Sequence, residues 1–393
     1  MTNKPATPYS DEQSYDDEAP VMDFFEEESY EDEEVEISAP TQTAKRATIG
    51  AVRTTENDAR QPMKTTASQR EPAATKYGRK VFTDKDRLGL WFLLKFPLAT
   101  SKQLGIVWKI KRNSAHKRLL ALRELGLVGS EEVIGMTQLW FTTKKGKDLL
   151  AFYGTEDERI SRLYKLGSLN LGKLAHRLAT TQVAAQLVAG ASAIAKTTEI
   201  ALPTGLDLMP LLIPEQYMNS TYGTMASRFD ETSGRTVVDA QQAWRTQERV
   251  AQEVESGRLP VSQALAQNPG LWTLTTDYAS RSYANQNHPF DLVVDLEAHR
   301  QTLDAPVSIG IEIELTPKDP VDLLRIVHTM VRQRERGSVP VVRRVIYVSH
   351  VERIFKAVKE LRDRLGGHAR YLLGATRLND AEGERYTGEA WRF

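Results

Sequence analysis

The most constraining feature of this sequence is the order of helix and strand signals between Thr83 and Leu150. Thr83, with Asp86 three residues later, predicts a capped helix start, because the two side chains can satisfy free backbone N–H groups of the first turn. Apolar residues at helical spacing continue this helix as far as Pro97, where it must end. Thr100 predicts the N-cap of a short second helix.

The same region continues with a third helix and a pair of strands. Asn113 or Ser114 is the predicted cap of the third helix, and Gly126 follows it where a left-handed residue is favoured. One strand begins directly after this glycine, Gln138–Thr142 returns as a second strand, and a last helix follows. The order helix, helix, helix, hairpin, helix predicts a winged helix-turn-helix at residues 79–153, an α+β domain.

Positive charge is concentrated in this predicted domain. Residues 79–148 contain 15 Lys or Arg and 6 Asp or Glu, a net charge of +9. In a helix-turn-helix the recognition helix enters the major groove, and basic side chains reach phosphates. The predicted DNA-binding residues are Lys111, Arg112, Asn113, Ser114, His116, Lys117, Arg118, Arg123, Lys144 and Lys145. A basic solvated surface and a protein-docking domain are the alternatives.

Charge and composition also describe the start of the chain. The 393 residues have a net charge of zero, but residues 1–36 hold 14 Asp or Glu and one Lys. Residues 1–78 lack apolar periodicity, which predicts a disordered acidic tail that either aids solubility or competes with DNA. The absence of cysteine excludes disulfides and Cys-ligated zinc. No apolar run is long enough to span a membrane, so we expect a cytoplasmic protein without a membrane partner.

After the winged helix, the sequence predicts a second domain with an internal insertion. Residues 154–202 are expected to supply its first helix and strand, with His176 on that helix as a structural residue. Residues 203–270 carry little signal and are interpreted as an insertion with one or two helices. Residues 271–393 alternate between strand and helix patterns, which predicts an α/β core around a mixed sheet.

The clearest strand of this core, Val307–Leu315, carries two carboxylates on one face. Glu312 and Glu314 lie about 6.6 Å apart along an extended backbone, and Asp291 approaches them if the preceding strand pairs with this one. Hard divalent cations prefer such oxygen ligands. Asp291, Glu312 and Glu314 are therefore predicted to bind Mg²⁺ or Mn²⁺, which would activate water for phosphate hydrolysis. The alternative is an amphipathic strand with a solvated acidic face.

Several segments together resemble a known family. The sequences PFD at 289–291 and IEIELTPK at 311–318 resemble the PD-(D/E)XK motif of restriction-endonuclease-like nucleases. With the winged helix, LWFTTKKGKDLL at 139–150 and LAHRLATTQVAAQL at 174–187, the chain resembles the replication-relaxation family of actinobacterial plasmids and mobile elements. The resemblance covers residues 80–375 apart from the insertion at 203–270. The resemblance implies a restriction-endonuclease-like C-terminal domain and a role in replication and relaxation of the element's DNA.

The acidic motif departs from the family pattern at one position. The (D/E)XK element has Lys two residues after its acidic residue, where this chain has Glu314. Lys318 has the same strand parity, but four extended residues span about 13 Å, so it replaces the missing group only if Pro317 bends the strand. The predicted catalytic residues are Asp291, Glu312, Glu314 and Lys318, in an active nuclease or in a degenerate nuclease fold used for binding or assembly.

Two functions therefore follow from the sequence. The first is a DNA-binding protein of a plasmid or mobile element that acts in replication or DNA relaxation, with metal-dependent nicking. Its expected partners are double-stranded DNA, replication or conjugation proteins, and a second copy of the chain. The second is a winged-helix transcriptional regulator whose C-terminal domain senses a ligand or dimerises. An ATPase is not expected, because the chain has no P-loop sequence.

Overall fold

The computed structural model describes most of the chain from residue 82 onward. The described ranges are 82–133, 138–155, 163–165, 171–191, 194, 201–238, 240–267, 269–275, 287–297, 307–316, 320–335, 342–365 and 371–378. The predicted acidic tail at residues 1–78 and the predicted catalytic residue Lys318 lie outside these ranges. None of the described helices is long and apolar enough to cross a bilayer.

Residues 82–155 form a unit of helices and short strands that we call the helix–hairpin region. Its helices are α1 (Asp84–Lys95), α2 (Ser101–Trp108), α3 (Arg112–Glu124) and α4 (Lys144–Phe152). Its strands are β1 (Ala99–Thr100), β2 (Val128–Glu131) and β3 (Leu139–Thr142). They pair antiparallel in the order β1-β3-β2. The central strand β3 therefore joins the hairpin to the segment between α1 and α2.

Capping signals in the sequence define the ends of these helices. Thr83 and Asp86 form the predicted capping box at the start of α1. Thr100 and Gln103 form a second capping box at the start of α2. Gly126 follows α3 with a φ of +71°, the left-handed conformation that ends a helix favourably when the residue is glycine. These local signals are satisfied within a few residues, so they can be recognised without knowledge of the fold.

Helix α3 begins earlier than the sequence predicted. Its N-cap is Lys111, which makes no side-chain capping bond, rather than Asn113 or Ser114. The backbone N–H of Ala115 already donates to the carbonyl of Lys111, which places Asn113 and Ser114 inside the first turn. Both side chains are consequently exposed at the start of the helix instead of being used in a cap.

The remaining described residues contain a mixed sheet and its covering helices, which we call the sheet region. Its helices are α5 (Leu171–Ala189), α6 (Glu215–Ala226), α7 (Ala240–Glu255), α8 (Val261–Gln267), α9 (Pro320–Glu335) and α10 (Glu352–Leu365). Its strands are β4 (Leu212–Pro214), β5 (Ser227–Asp230), β6 (Arg235–Val238), β7 (Thr273–Thr275), β8 (Asn287–Pro289), β9 (Leu292–Val294), β10 (Ser308–Glu314), β11 (Val342–Ser349) and β12 (Leu373–Arg377).

Five of these strands form one sheet in the order β12-β11-β10-β9-β4. Strands β10, β11 and β12 are parallel to one another, with α9 and α10 as the connections. Strand β9 runs antiparallel to β10, and β4 runs antiparallel to β9. The predicted mixed sheet is thus confirmed, and the antiparallel pairing on which the approach of Asp291 to the glutamates depended is present. The pairs β5–β6 and β7–β8 form two separate antiparallel ladders.

One strand of this sheet comes from the range interpreted as an insertion. In β4, Leu212 pairs with Val294 and Pro214 pairs with Leu292 on β9. All three residues of β4 are buried. A strand of three residues ending in proline has no periodicity to detect, so its place in the sheet depends on tertiary pairing. Residues 203–270 therefore contribute directly to the sheet.

Strand β10 lies at the centre of the sheet and is buried on both faces. All seven of its residues are buried, including Glu312 with 1% of its surface exposed and Glu314 with 8%. The alternative of a solvated acidic face is therefore wrong. Buried carboxylates are costly unless they are paired or bind a cation, so these two side chains require a specific environment.

Buried hydrogen bonds join the helix–hairpin region to the sheet region. The Lys95 ammonium group at the end of α1 donates to the Leu212 carbonyl at 2.8 Å. The Gln216 side chain on α6 donates back to the Lys95 carbonyl. The Gln103 side chain on α2 donates to the Leu178 carbonyl of α5. All described residues belong to one compact unit of the chain.

Candidate functional site

Asp291 is the centre of a cluster of acidic and histidine side chains beside the paired strands β9 and β10. The residue lies immediately before β9, where its Oδ2 atom accepts a hydrogen bond of 2.7 Å from the Ile313 backbone N–H on β10. Its Oδ1 atom lies 2.7 Å from His176 Nε2 on α5. The carboxylate is therefore oriented from two sides, and α5 delivers an imidazole to the sheet.

Glu215 brings a second carboxylate to the same place. It is the first residue of α6 and directly follows β4, and its backbone N–H donates to the Asp291 carbonyl at 3.1 Å. Ligand atoms of His176, Glu215 and Asp291 all lie within 4.8 Å of one another. Three elements that are distant in sequence thus converge on one potential cation site.

The charge state of His176 depends on its acidic neighbours. Burial alone would lower its pKa, but the hydrogen bond and charge of Asp291, with the charges of Glu215 and Glu314, outweigh burial. The resulting pKa of His176 is raised above its ordinary value. The acidic neighbours therefore favour the protonated form of His176 more than burial disfavours it.

Glu312 lies on β10, on the same face of the strand as Glu314. Its Oε1 atom lies 3.1 Å from His288 Nε2. On the neighbouring strand β11, Tyr347 pairs in register with Glu312, so the two side chains lie on the same face of the sheet. The fold therefore pairs His288 with a buried carboxylate that lies 24 residues away in the chain.

Tyr347 has an unusual environment for a phenol. Its side chain is 1% exposed, and among the described residues its hydroxyl has no hydrogen-bond partner. Burial, and then the negative charges of Glu312, Glu314 and Asp291, raise the pKa of Tyr347 well above its ordinary value. Burial and the neighbouring carboxylates therefore favour the neutral phenol even more strongly than in an ordinary tyrosine.

The structure brings together three of the four predicted catalytic residues. Asp291 directly precedes β9, and Glu312 and Glu314 lie on β10, the strand that pairs with β9. The charge of Glu314 also acts on His176. Lys318 is outside the described residues. These carboxylates were identified from strand alternation, which correctly placed both glutamates on one face.

Three residues of this cluster were not identified as site residues from the sequence. His176 was interpreted as structural, and neither Glu215 nor Tyr347 stood out. His176 and Asp291 are 115 residues apart, so only the packing of α5 on the sheet makes them neighbours. A histidine among apolar helix positions and a glutamate directly after Pro214 are weak signals by themselves.

A second candidate site is the basic surface of α3 and the start of α4. Exposed side chains form this surface, which we call the basic surface: Lys111, Arg112, Asn113, Ser114, Lys117, Arg123, Lys144 and Lys145. Phosphate contacts require accessible cationic and polar groups of this kind. Eight of the ten predicted DNA-binding residues are therefore accessible to a ligand.

The other two predicted DNA-binding residues point into the helix–hairpin region. The Arg118 guanidinium pairs with Asp86 at 2.5 Å and donates to the Thr83 hydroxyl. His116 Nδ1 lies 3.3 Å from the Ser101 hydroxyl, and the imidazole packs edge-on against Trp140. These contacts orient α3 relative to α1 and α2.

Comparison with protein-family models, with curated proteins and with solved structures returns no match for this chain. The function of this chain is therefore inferred from the geometry of the carboxylate cluster and of the basic surface.

Proposed function

We propose that this chain is a DNA-binding protein of a plasmid or mobile element and acts in replication or relaxation of the element's DNA. The helix–hairpin region serves as a winged helix-turn-helix that binds double-stranded DNA. Its element order and its β1-β3-β2 sheet support this assignment. The observation that carries the proposal is the basic surface, where the N-cap and the first two turns of α3 expose Lys111, Arg112 and Lys117.

The sheet region is proposed to act as a restriction-endonuclease-like domain that nicks DNA with Mg²⁺ or Mn²⁺. Support comes from the antiparallel strands β4, β9 and β10, followed by α9 and the parallel strand β11. In this proposal Asp291, directly before β9, and Glu312 on β10 hold the cation. A bound divalent cation would activate water and stabilise charge on the phosphate. The protein would contribute the oriented carboxylate of Asp291 and the buried carboxylate of Glu312.

Expected partners of the protein in the cytoplasm are replication or conjugation proteins and a second copy of the chain. These partners would bring the DNA-bound protein to an origin or transfer site. Two half-sites one helical turn apart on the DNA target would indicate that two copies bind together.

DNA binding can be tested by fluorescence anisotropy with a labelled duplex over a range of salt concentrations, in EDTA. The triple variant Lys111→Ala, Arg112→Ala, Lys117→Ala should bind more weakly. Its salt dependence should fall by about three units of log K against log salt, because each lost phosphate contact contributes roughly 0.9. Replacing three exposed basic residues on α10, Arg353, Lys356 and Lys359, provides a charge-matched control. Equal losses for both variants would contradict recognition through α3.

Nicking can be tested with supercoiled plasmid and Mg²⁺ or Mn²⁺. The wild-type protein should convert the plasmid to its open circular form, whereas Asp291→Ala and Glu312→Ala should lose this activity while retaining DNA binding. No product with either cation, together with normal binding to DNA, would contradict the nuclease assignment and favour a transcriptional regulator.

A further inference from the structure

We infer that His176, Glu215 and Asp291 form a mixed nitrogen–oxygen site that selects a first-row divalent transition metal over Mg²⁺. This inference deepens the proposed nicking activity by naming the ligands and the class of metal. It differs from the oxygen-only set of Asp291, Glu312 and Glu314, because it adds an imidazole from α5 and a carboxylate from the start of α6.

The three side chains are close enough to share one ion. Their ligand atoms lie within 4.8 Å of one another, whereas two ligands at about 2.0–2.2 Å from a common ion are at most about 4.4 Å apart. Side-chain movements of a few tenths of an ångström would therefore bring the ligand atoms within reach of one ion. The His176 side chain is 37% exposed and that of Asp291 is 13% exposed, so an ion can reach the site from solvent.

The donor set determines the class of metal. Imidazole nitrogen suits transition metals, while carboxylate oxygens alone suit Mg²⁺ and Ca²⁺. Mg²⁺ binds oxygen ligands in near-ideal octahedral geometry and keeps several of its waters. A site in which one of three protein ligands is nitrogen should therefore favour Mn²⁺ and its heavier neighbours over Mg²⁺.

The groups around the three ligands support a built site. The Ile313 backbone N–H holds Asp291 Oδ2 at 2.7 Å, which fixes the orientation of a ligating carboxylate. Next to this site, the Tyr347 hydroxyl is buried and has no partner among the described residues, and it lies on the same face of the sheet as Glu312, its paired residue on β10. Buried polar groups usually have a hydrogen-bond partner, and an ordered water in this space would supply one.

The test is Mn²⁺ titration of the full chain, without DNA, followed by electron paramagnetic resonance of the free ion. We expect saturable binding of one Mn²⁺ that about a 100-fold excess of Mg²⁺ displaces by less than half. His176→Gln and Glu215→Gln should each weaken Mn²⁺ binding by at least about tenfold, since even outer-shell changes cost about 10- to 100-fold. His328→Gln, at an exposed histidine of α9, is the matched control and should leave the affinity unchanged.

A direct readout of the ligand does not depend on any variant. Pulsed electron paramagnetic resonance of the Mn²⁺-loaded wild-type protein should show coupling to a ¹⁴N nucleus, and this coupling should disappear in His176→Gln. Thermal unfolding of each variant shows whether it remains folded. Mn²⁺ binding without nitrogen coupling, or Mg²⁺ binding as tight as Mn²⁺ binding, would overturn the inference in favour of an oxygen-only site.

Absence of any Mn²⁺ binding would also overturn the inference and leave the three residues as an ion-paired cluster. Either result is separate from failure of the proposed DNA function. DNA binding is measured in EDTA through the basic surface, whereas metal binding is measured without DNA.

Discussion

Arg118 lies on the basic helix α3, yet its guanidinium binds inside the helix–hairpin region. It forms an ion pair with Asp86, whose side chain is 8% exposed, and stacks near Trp108. Asp86 also belongs to the capping box that begins α1. One arginine therefore connects the start of α1 to α3, and its positive charge is already used by a buried carboxylate.

Arg118→Ala should lower the free energy of unfolding by about 1–3 kcal/mol, because it leaves the Asp86 carboxylate without its charged donor. Urea unfolding followed by circular dichroism measures this loss. Lys117→Ala, which removes a neighbouring exposed charge, should change stability by less than about 0.5 kcal/mol. Similar unfolding curves for the two variants would show that the Asp86 pair contributes little.

At the scale of one element, strand β10 is constrained by glycine as well as by its carboxylates. Gly310 lies between paired residues of β9 and β11, in register with Val293 and Val345. A Cβ atom at this position would lie 2.8 Å from the Phe290 ring. Phe290 directly precedes Asp291, so the close approach at Gly310 also positions the carboxylate cluster.

Gly310→Ala should therefore destabilise the protein by about 1–3 kcal/mol, the usual cost of overpacking a core. Gly374→Ala on β12 is the matched control, because there the new Cβ atom would meet its nearest neighbour at 3.6 Å, an ordinary contact. Urea denaturation of both variants gives the comparison. If Gly374→Ala costs as much as Gly310→Ala, the Phe290 contact is not the cause.

Across the whole chain, the helix–hairpin region and the sheet region share buried hydrogen bonds. The fully buried Lys95 donates to the carbonyls of Met209 and Leu212, at 2.6 and 2.8 Å. Leu212 belongs to β4, which leads directly into Glu215. Gln103 on α2 binds the carbonyl of Leu178 on α5, the helix that carries His176. The two helical ligands of the inferred metal site, His176 and Glu215, thus lie on elements that contact the helix–hairpin region.

Lys95→Met should lower the free energy of unfolding by about 2–4 kcal/mol, because two buried carbonyls lose a charged donor. Differential scanning calorimetry should show a lower transition temperature, and two resolved transitions if the contact couples the two regions. Lys85→Met, at an exposed position on the same helix, serves as the control. An unchanged transition in Lys95→Met would exclude this role for Lys95.

Features that depend on neighbours in the chain could be predicted from the amino-acid sequence. The capping residues Thr83 and Thr100, the glycine after α3 and the alternation that places Glu312 and Glu314 on one face all act over a few residues. The mixed sheet followed from the order of strand and helix patterns. Hydrogen bonds and periodicity at this range are properties of short segments.

Contacts between residues that are distant in the chain could be seen only in the tertiary structure. It buried both faces of β10, added β4 from a segment without periodicity, and brought His176 and Glu215 to Asp291. It also separated the exposed basic residues from Arg118, which binds inward. Contacts between residues more than a hundred positions apart depend on how helices pack on the sheet, and no pattern within a single segment contains that information.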